Sequence, residues 1–225
     1  MNLVVVAHPD DEVLAMGGTG AKLTRRGEIV QPVMMCGMVE ARSGRPEDNE
    51  LSSDIADAMT IVGFADPVYG NFPNIKLNTV PHLSLVQFVE RQIEQFRPDR
   101  IFTHHPSDAN DDHVYVSKAV MVAARLIHRR EGLKPISSIH LMETPSATDW
   151  SYNGHALPFQ PNEYVSIDAT LDAKIAACQA YRGVMRPFPH ARSEEAIRAL
   201  AAKRGAECHL GHAEAFQTIY STQID

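Results

Sequence analysis

Three features of the sequence predict an α/β architecture built on a mostly parallel sheet. Short apolar, β-branched runs alternate with amphipathic segments of helix length through the first 130 residues. The runs are almost continuously apolar, as strands covered on both faces are. Each of them breaks abruptly into a turn or a polar loop.

The first run, Leu3 to Ala7, ends in His-Pro-Asp-Asp-Glu, the pattern of a buried strand emptying into a functional loop. Val13 to Arg26 follows with helical spacing and Gly27 as its stop. Ile29 to Met35 is a second strand, and Leu51 to Val62 is an amphipathic helix stopped by Gly63. Pro67 to Tyr69 is a short strand, and Val80 to Phe96 a helix that runs to the Arg97-Pro98-Asp99 break. Arg100 to Thr103 is a third inner strand, emptying into the polar loop His104 to Asp112 before a helix predicted over His113 to Arg130. Beyond Ile136 the spacing predicts strands at Ile139 to Met142 and Tyr164 to Ile167. Helices follow at Leu171 to Arg182 and Ser193 to Gly205, with irregular chain at Thr144 to Asn162 and Gly183 to Arg192.

A chain of 225 residues, 44% hydrophobic and 22% charged, is expected to form one domain over 1–225 with a sizeable core, not a disordered or disulfide-knot chain. Twenty-one basic against 28 acidic residues give a net charge of −7, which argues against a nucleic-acid partner. Three cysteines without a CxxC pair suit a reducing compartment. With no membrane-length apolar run and no signal-like N-terminus, the expectation is a cytoplasmic protein.

Polar residues concentrate after two strands. His8, Asp10, Asp11 and Glu12 follow the first; His104, His105, Asp108, Asn110, Asp111, Asp112 and His113 follow the third. In open parallel sheets, ligands sit beyond the carboxyl ends of strands where strand order reverses, so neighbouring strands would bring both loops to one crevice. Imidazole with carboxylate, lacking a thiolate pair, suits zinc, ferrous iron or another divalent first-row ion better than magnesium. A catalytic ion keeps a position for water, and a carboxylate off the metal must take that water's proton. Three consecutive acids after His8-Pro9 offer both a ligand and a base. The plain alternative is that Asp-Asp-Glu only complements the dipole of the helix it opens.

The segment Val6-Ala7-His8-Pro9-Asp10-Asp11-Glu12 resembles the AHPDDE signature of the PIG-L/LmbE family of metal-dependent N-deacetylases, and His105 to His113 resembles its second motif, which ends in Asp-His. Glu40-Ala41-Arg42 is similar to the family's Gly-Glu-x-Arg loop, and Lys203-Arg204-Gly205 with Ala213 to Phe216 to its tail. The resemblance implies a Rossmann-like α/β fold, helices on both faces of a mostly parallel sheet, with an irregular C-terminal third. It implies that His8, Asp11 and His113 ligate zinc, that Asp10 is the base activating the zinc-bound water, and that Asp112 orients a ligand imidazole. Glu12 would cap the helix or hold the loop. Many members carry His three residues before the ligand His; this chain has Asn110 there, whose NH₂ can donate to an oxyanion but cannot act as an acid. Asp10 would then shuttle the proton both ways, with His105, His190 and His212 as the other candidates.

Arg42 is a candidate for binding a substrate hydroxyl, phosphate or carboxylate, with Asp54 as its anchor. Gly17-Gly18-Thr19-Gly20 lacks a P-loop lysine and reads as close helix packing. Cys36 reads as a buried filler, His209 and His212 as a substrate rim at most, and Trp150 and Tyr152 as sugar-stacking or packing residues. The function expected is removal of an N-acetyl group from an amino sugar or its conjugate by a zinc-dependent hydrolase. The partner is a small N-acetylated sugar, and homo-oligomerisation is left open. The alternatives are an amidase acting on another acylated conjugate and a non-catalytic Rossmann-like module binding a sugar or nucleotide.

Overall fold

The computed structural model describes residues 1–37, 48–151 and 157–223. Five strands run parallel: β1 (Asn2–Val6), β2 (Val30–Met34), β3 (Val68–Tyr69), β4 (Arg100–His104) and β5 (Ser138–Met142). With β6 (Glu163–Ser166) and β7 (Ala213–Ser221) they form one seven-stranded sheet in the order β3-β2-β1-β4-β5-β7-β6. β7 runs antiparallel to both β5 and β6. The helices are α1 (Asp11–Arg25), α2 (Asp48–Val62), α3 (His82–Phe96), α4 (Asp111–Ala123), α5 (Leu171–Ala180) and α6 (Glu194–Ala206).

Alternate residues of β1 feed opposite layers. Val4 and Val6 join the core made with α1, α2 and α5, whereas Leu3 and Val5 join the core made with α3 and α4. That two-sided burial is why the strand reads as continuously apolar. Strand order turns back between β1 and β4: the chain goes outward through β2 and β3, then returns to pair Leu3 with Ile101 and continue to β5. The two polar loops therefore leave adjacent strands at the switch point.

The helix predicted from His113 to Arg130 instead starts at Asp111, two residues earlier, because Asn110 caps it: its Oδ1 accepts from the Asp112 N–H at 3.0 Å. It passes at Ala124 into a 3₁₀ turn that ends at His128. β7 has no counterpart in the sequence reading, which placed no strand over 213–221. In α6 the cap reading matches, with the Ser193 hydroxyl accepting from the Ala196 N–H at 3.1 Å.

α1 is kinked at Met16 (φ −141°, ψ 23°). The kink frees the amides of Gly18 and Thr19, which donate to the two carboxylate oxygens of Glu214 on β7 at 3.0 and 2.6 Å. Lys174 of α5 completes the buried set at 2.6 Å from the same carboxylate. An internal carboxylate thus takes up the glycine-rich turn. Its glycines are packing residues: a Cβ on Gly20 would meet the Phe64 ring at 2.2 Å, and one on Gly18 would meet Ile167 at 2.9 Å. No described helix is long and apolar enough to cross a membrane.

Candidate metal centre and active site

Residues 8–12 turn sharply out of β1 and into α1. Asp10 sits at φ 106°, ψ −32°, a conformation that costs a non-glycine residue about 1–3 kcal/mol. The turn is held from beneath. The Asp10 N–H donates to Glu12 Oε2 at 3.1 Å, and the Tyr181 hydroxyl donates to Glu12 Oε1 at 2.6 Å. Burial, reinforced by the charges of Asp10 and Asp11, pushes Glu12 up to about 8 despite the Tyr181 hydrogen bond. Glu12 is thus a loop-holding group inside the protein.

Asp11 is the hub of the site. Its Oδ2 accepts from the His8 N–H at 3.0 Å and lies 3.3 Å from His8 Nδ1, 3.2 Å from His113 Nε2 and 3.5 Å from His104 Nε2. Burial alone would raise its pKa; the charge of His113 close by and the hydrogen bond from His8 hold it well below the usual range. One ligand atom each from His8, Asp11 and His113 lie within 4.8 Å of one another, and all three residues are buried.

Each imidazole is oriented from behind by a carboxylate. His8 Nε2 meets Asp112 Oδ2 at 3.0 Å, and Asp112 is itself fixed by the Ile75 and Leu77 N–H groups at 2.6 and 3.0 Å. His113 Nδ1 meets Asp108 Oδ2 at 2.7 Å. Burial opposes the charged form of His113, but Asp11 and Asp108 outweigh it and carry the group to about 10. His104 stacks on His113 with ring centroids 3.7 Å apart, and its Nε2 accepts from the Ala7 N–H at 2.9 Å. Burial and the neighbouring His113 charge keep it neutral.

The donor set fits a divalent first-row cation. Two imidazoles and a carboxylate converge, each imidazole has a carboxylate on its far nitrogen, and the buried His113 Nε2 has no hydrogen-bond partner. That orphaned nitrogen points to a ligand, since a buried polar atom left unpaired costs about 1–3 kcal/mol. Cys36, in contrast, is buried 3.9 Å from Asp112 with its thiol pushed up by burial and by the Asp112 charge, so it stays neutral.

Asp10 precedes Asp11 in the turn, and Arg192 Nη1 donates to its Oδ2 at 3.3 Å. Ser146 Oγ accepts from Arg192 Nε at 2.6 Å. Arg192, with Asn110, Trp150, Arg186 and His190, lines an open cleft of about 550 Å³. Of the other histidines, His105 packs edge-on against Phe159 and His212 pairs with Asp168; neither lines the cleft. Arg42 and Tyr152 lie outside the described residues. Asp54 accepts from the Arg182 N–H at 2.9 Å and pairs with its Nε at 3.2 Å.

Three residues at the site carry no assigned role in the sequence reading: Asp108, His104 and Arg192. The first two stand in the polar loop without any spacing that distinguishes them from solvated neighbours. Arg192 reaches Asp10 from an irregular loop far along the chain, and no local pattern marks that contact.

A family model described as GlcNAc-PI de-N-acetylase, PIG-L, matches residues 3–124, over half of the chain. The chain belongs to the PIG-L family. This PIG-L chain is 28% identical over 189 residues to YaiS, an uncharacterized deacetylase of Escherichia coli (strain K12), covering 80% of the chain and 89% of that protein. It is 27% identical over 191 residues to a probable N-acetyl-α-D-glucosaminyl L-malate deacetylase 2 of Bacillus cereus, covering 80% and 81%. Among solved structures, the N,N′-diacetylchitobiose deacetylase from Pyrococcus horikoshii superposes with a TM-score of 0.77 at 21% identity, covering 97% of this chain and 83% of that one. The PIG-L fold is common to both, and the Escherichia coli and Bacillus relatives are described as deacetylases.

Proposed function

We propose that the protein is a metal-dependent hydrolase that removes an N-acetyl group from an amino sugar or an amino-sugar conjugate. The observation that carries this reading is the convergence of His8, Asp11 and His113 beside an Asp10 carboxylate that is not part of the trio. A pure binding module has no use for a base held there in a strained backbone. The activities named for the Bacillus and Pyrococcus proteins, both on N-acetylated sugars, support the substrate class.

His8, Asp11 and His113 would hold zinc or ferrous iron, which supplies Lewis acidity for the amide carbonyl and for the attacking water. Asp10 takes a proton from that water as the oxygen–carbon bond forms, then returns it to the sugar nitrogen as the carbon–nitrogen bond breaks. Acetate and a free amine leave. Arg192 aims the Asp10 carboxylate. The Asn110 Oδ1 is committed to the α4 cap, so its Nδ2 is the group left to donate to the developing oxyanion.

The test is acetate release from N-acetylglucosaminides by zinc-loaded Asp10→Asn protein. Metal content is expected to stay at the wild-type level while turnover falls about 10²–10⁴-fold. Near-normal turnover in a metal-loaded variant would overturn the mechanism.

A further inference from the structure

We propose that Tyr181 is a positioning residue for the base: acting through Glu12, its hydroxyl fixes the strained backbone at Asp10. This rests on the deacetylase reading above.

The chain of contacts is short and buried. Tyr181 ends α5 in extended backbone (φ −77°, ψ 108°) and packs in the core shared by α1, α2 and α5. Its hydroxyl donates to Glu12 Oε1 at 2.6 Å, and Glu12 Oε2 accepts from the Asp10 N–H at 3.1 Å. The next residue, Arg182, is fastened to Asp54 of α2 by its N–H at 2.9 Å, so the tyrosine is held by helices and not by the mobile edge of a loop. Glu12 is fully buried. Removing the hydroxyl would therefore leave Oε1 without that donor in a place closed to solvent, and the Glu12 side chain would turn to recover one.

Asp10 is sensitive to such a turn. At φ 106° its backbone keeps its shape only while its surroundings impose it. The Asp10 carbonyl accepts from the Leu14 N–H at 3.0 Å, and Glu12 holds the N–H side. Arg192 acts on the carboxylate of Asp10, whereas Tyr181 and Glu12 act on its main chain. The neighbouring candidate ligands have anchors of their own: the His8 N–H on Asp11 Oδ2, Asp112 on His8 and Asp108 on His113. Loss of the hydroxyl should thus shift the base and spare the trio. A misplacement of about 1 Å is worth up to about 10²-fold in rate. A plain core role for Tyr181 lies in its ring, which phenylalanine keeps.

The experiment compares metal-loaded wild type and Tyr181→Phe in acetate release from N-acetylglucosaminides. The expected result is a kcat lowered about tenfold or more, with KM and bound zinc unchanged. An unchanged kcat, or a loss that follows lost zinc, would overturn the proposal. Glu12→Gln and the double variant test the route. The double variant is expected to be no slower than the slower single, and losses that multiply would exclude Glu12 as the intermediary. Hydrogen exchange of the Asp10 amide, read by NMR, needs no turnover. It is expected to quicken in Tyr181→Phe while the amides of β1 keep their protection. Unchanged protection at Asp10, or an equal loss throughout β1, would remove the positioning role. Release of acetate from no N-acetylglucosaminide by the wild type would sink the deacetylase reading, and the Asp10 exchange would then decide alone whether Tyr181 fixes that turn.

Discussion

Asp108 illustrates how one side chain can orient a candidate metal ligand from behind. It grips His113 Nδ1 at 2.7 Å, which fixes the tautomer that turns Nε2 toward Asp11. Replacing such an orienting carboxylate in known sites weakens metal binding about 10–100-fold. Asp108→Ala is therefore expected to lower zinc affinity by that factor, read by competition with a chromogenic chelator; unchanged affinity would remove the orienting role. The contrast with Asp10, Asp11 and Glu12 shows what a sequence reveals at this scale. Three acids running consecutively out of a buried strand announce themselves, because nothing in a bare turn requires them. A single acid in a loop already rich in Asp and Asn looks like solvation, and only the folded geometry separates Asp108 from its neighbours. The same holds for Arg192, whose contact with Asp10 spans most of the chain.

At the level of elements, α1 ties the His8–Glu12 turn to the rest of the fold by two devices, small residues and an internal anion. A methyl group on Gly20 would stand 2.2 Å from Phe64 ring atoms. The helix-propensity gain of alanine over glycine, about 1 kcal/mol, competes with an overpacking cost of about 1–3 kcal/mol. At that separation the ring has to move, so the clash wins. Gly20→Ala is expected to lower the urea midpoint without changing the slope of the transition, and a raised midpoint would refute the close-packing role. Periodicity made α1 and the inner strands legible before any coordinates. It did not reveal β7, and the reason is physical. Ala213 to Phe216 are all buried, because this half of the strand is enclosed on both sides of the sheet, whereas its outer half opens to solvent. No alternation survives, and the charged Glu214 within the buried half suggests a loop until Lys174 and the α1 amides are seen around it.

For the whole molecule, the sheet's antiparallel edge is where pH should be felt outside the active site. Glu163 at the start of β6 reaches past β7 to His140 of β5, at 2.8 Å, and also accepts from the Thr218 hydroxyl. The His140 hydrogen bond lowers the Glu163 carboxyl below its ordinary value, against the effect of burial. A lowered folded pKa means stability that is present above the unfolded value of about 4.3 and lost as pH falls through the folded value. Glu163→Gln should therefore cost more at pH 7 than at pH 3, by less than about 1 kcal/mol for a carboxylate this exposed. Urea titrations of both proteins at the two pH values check it, and an equal cost at both would dismiss the ionic contribution.

The position of β7 also bears on the order in which the molecule can assemble. Among the described residues β6 pairs with β7 alone. A chain growing from its N-terminus makes both loops that carry the candidate ligands, and then β6, before the strand that joins β6 to the sheet. The carboxylate that secures the bend of α1, the helix that follows the His8–Glu12 turn, arrives on that same late strand. A nascent chain would thus carry its ligands early and wait for its last strand to hold them in place.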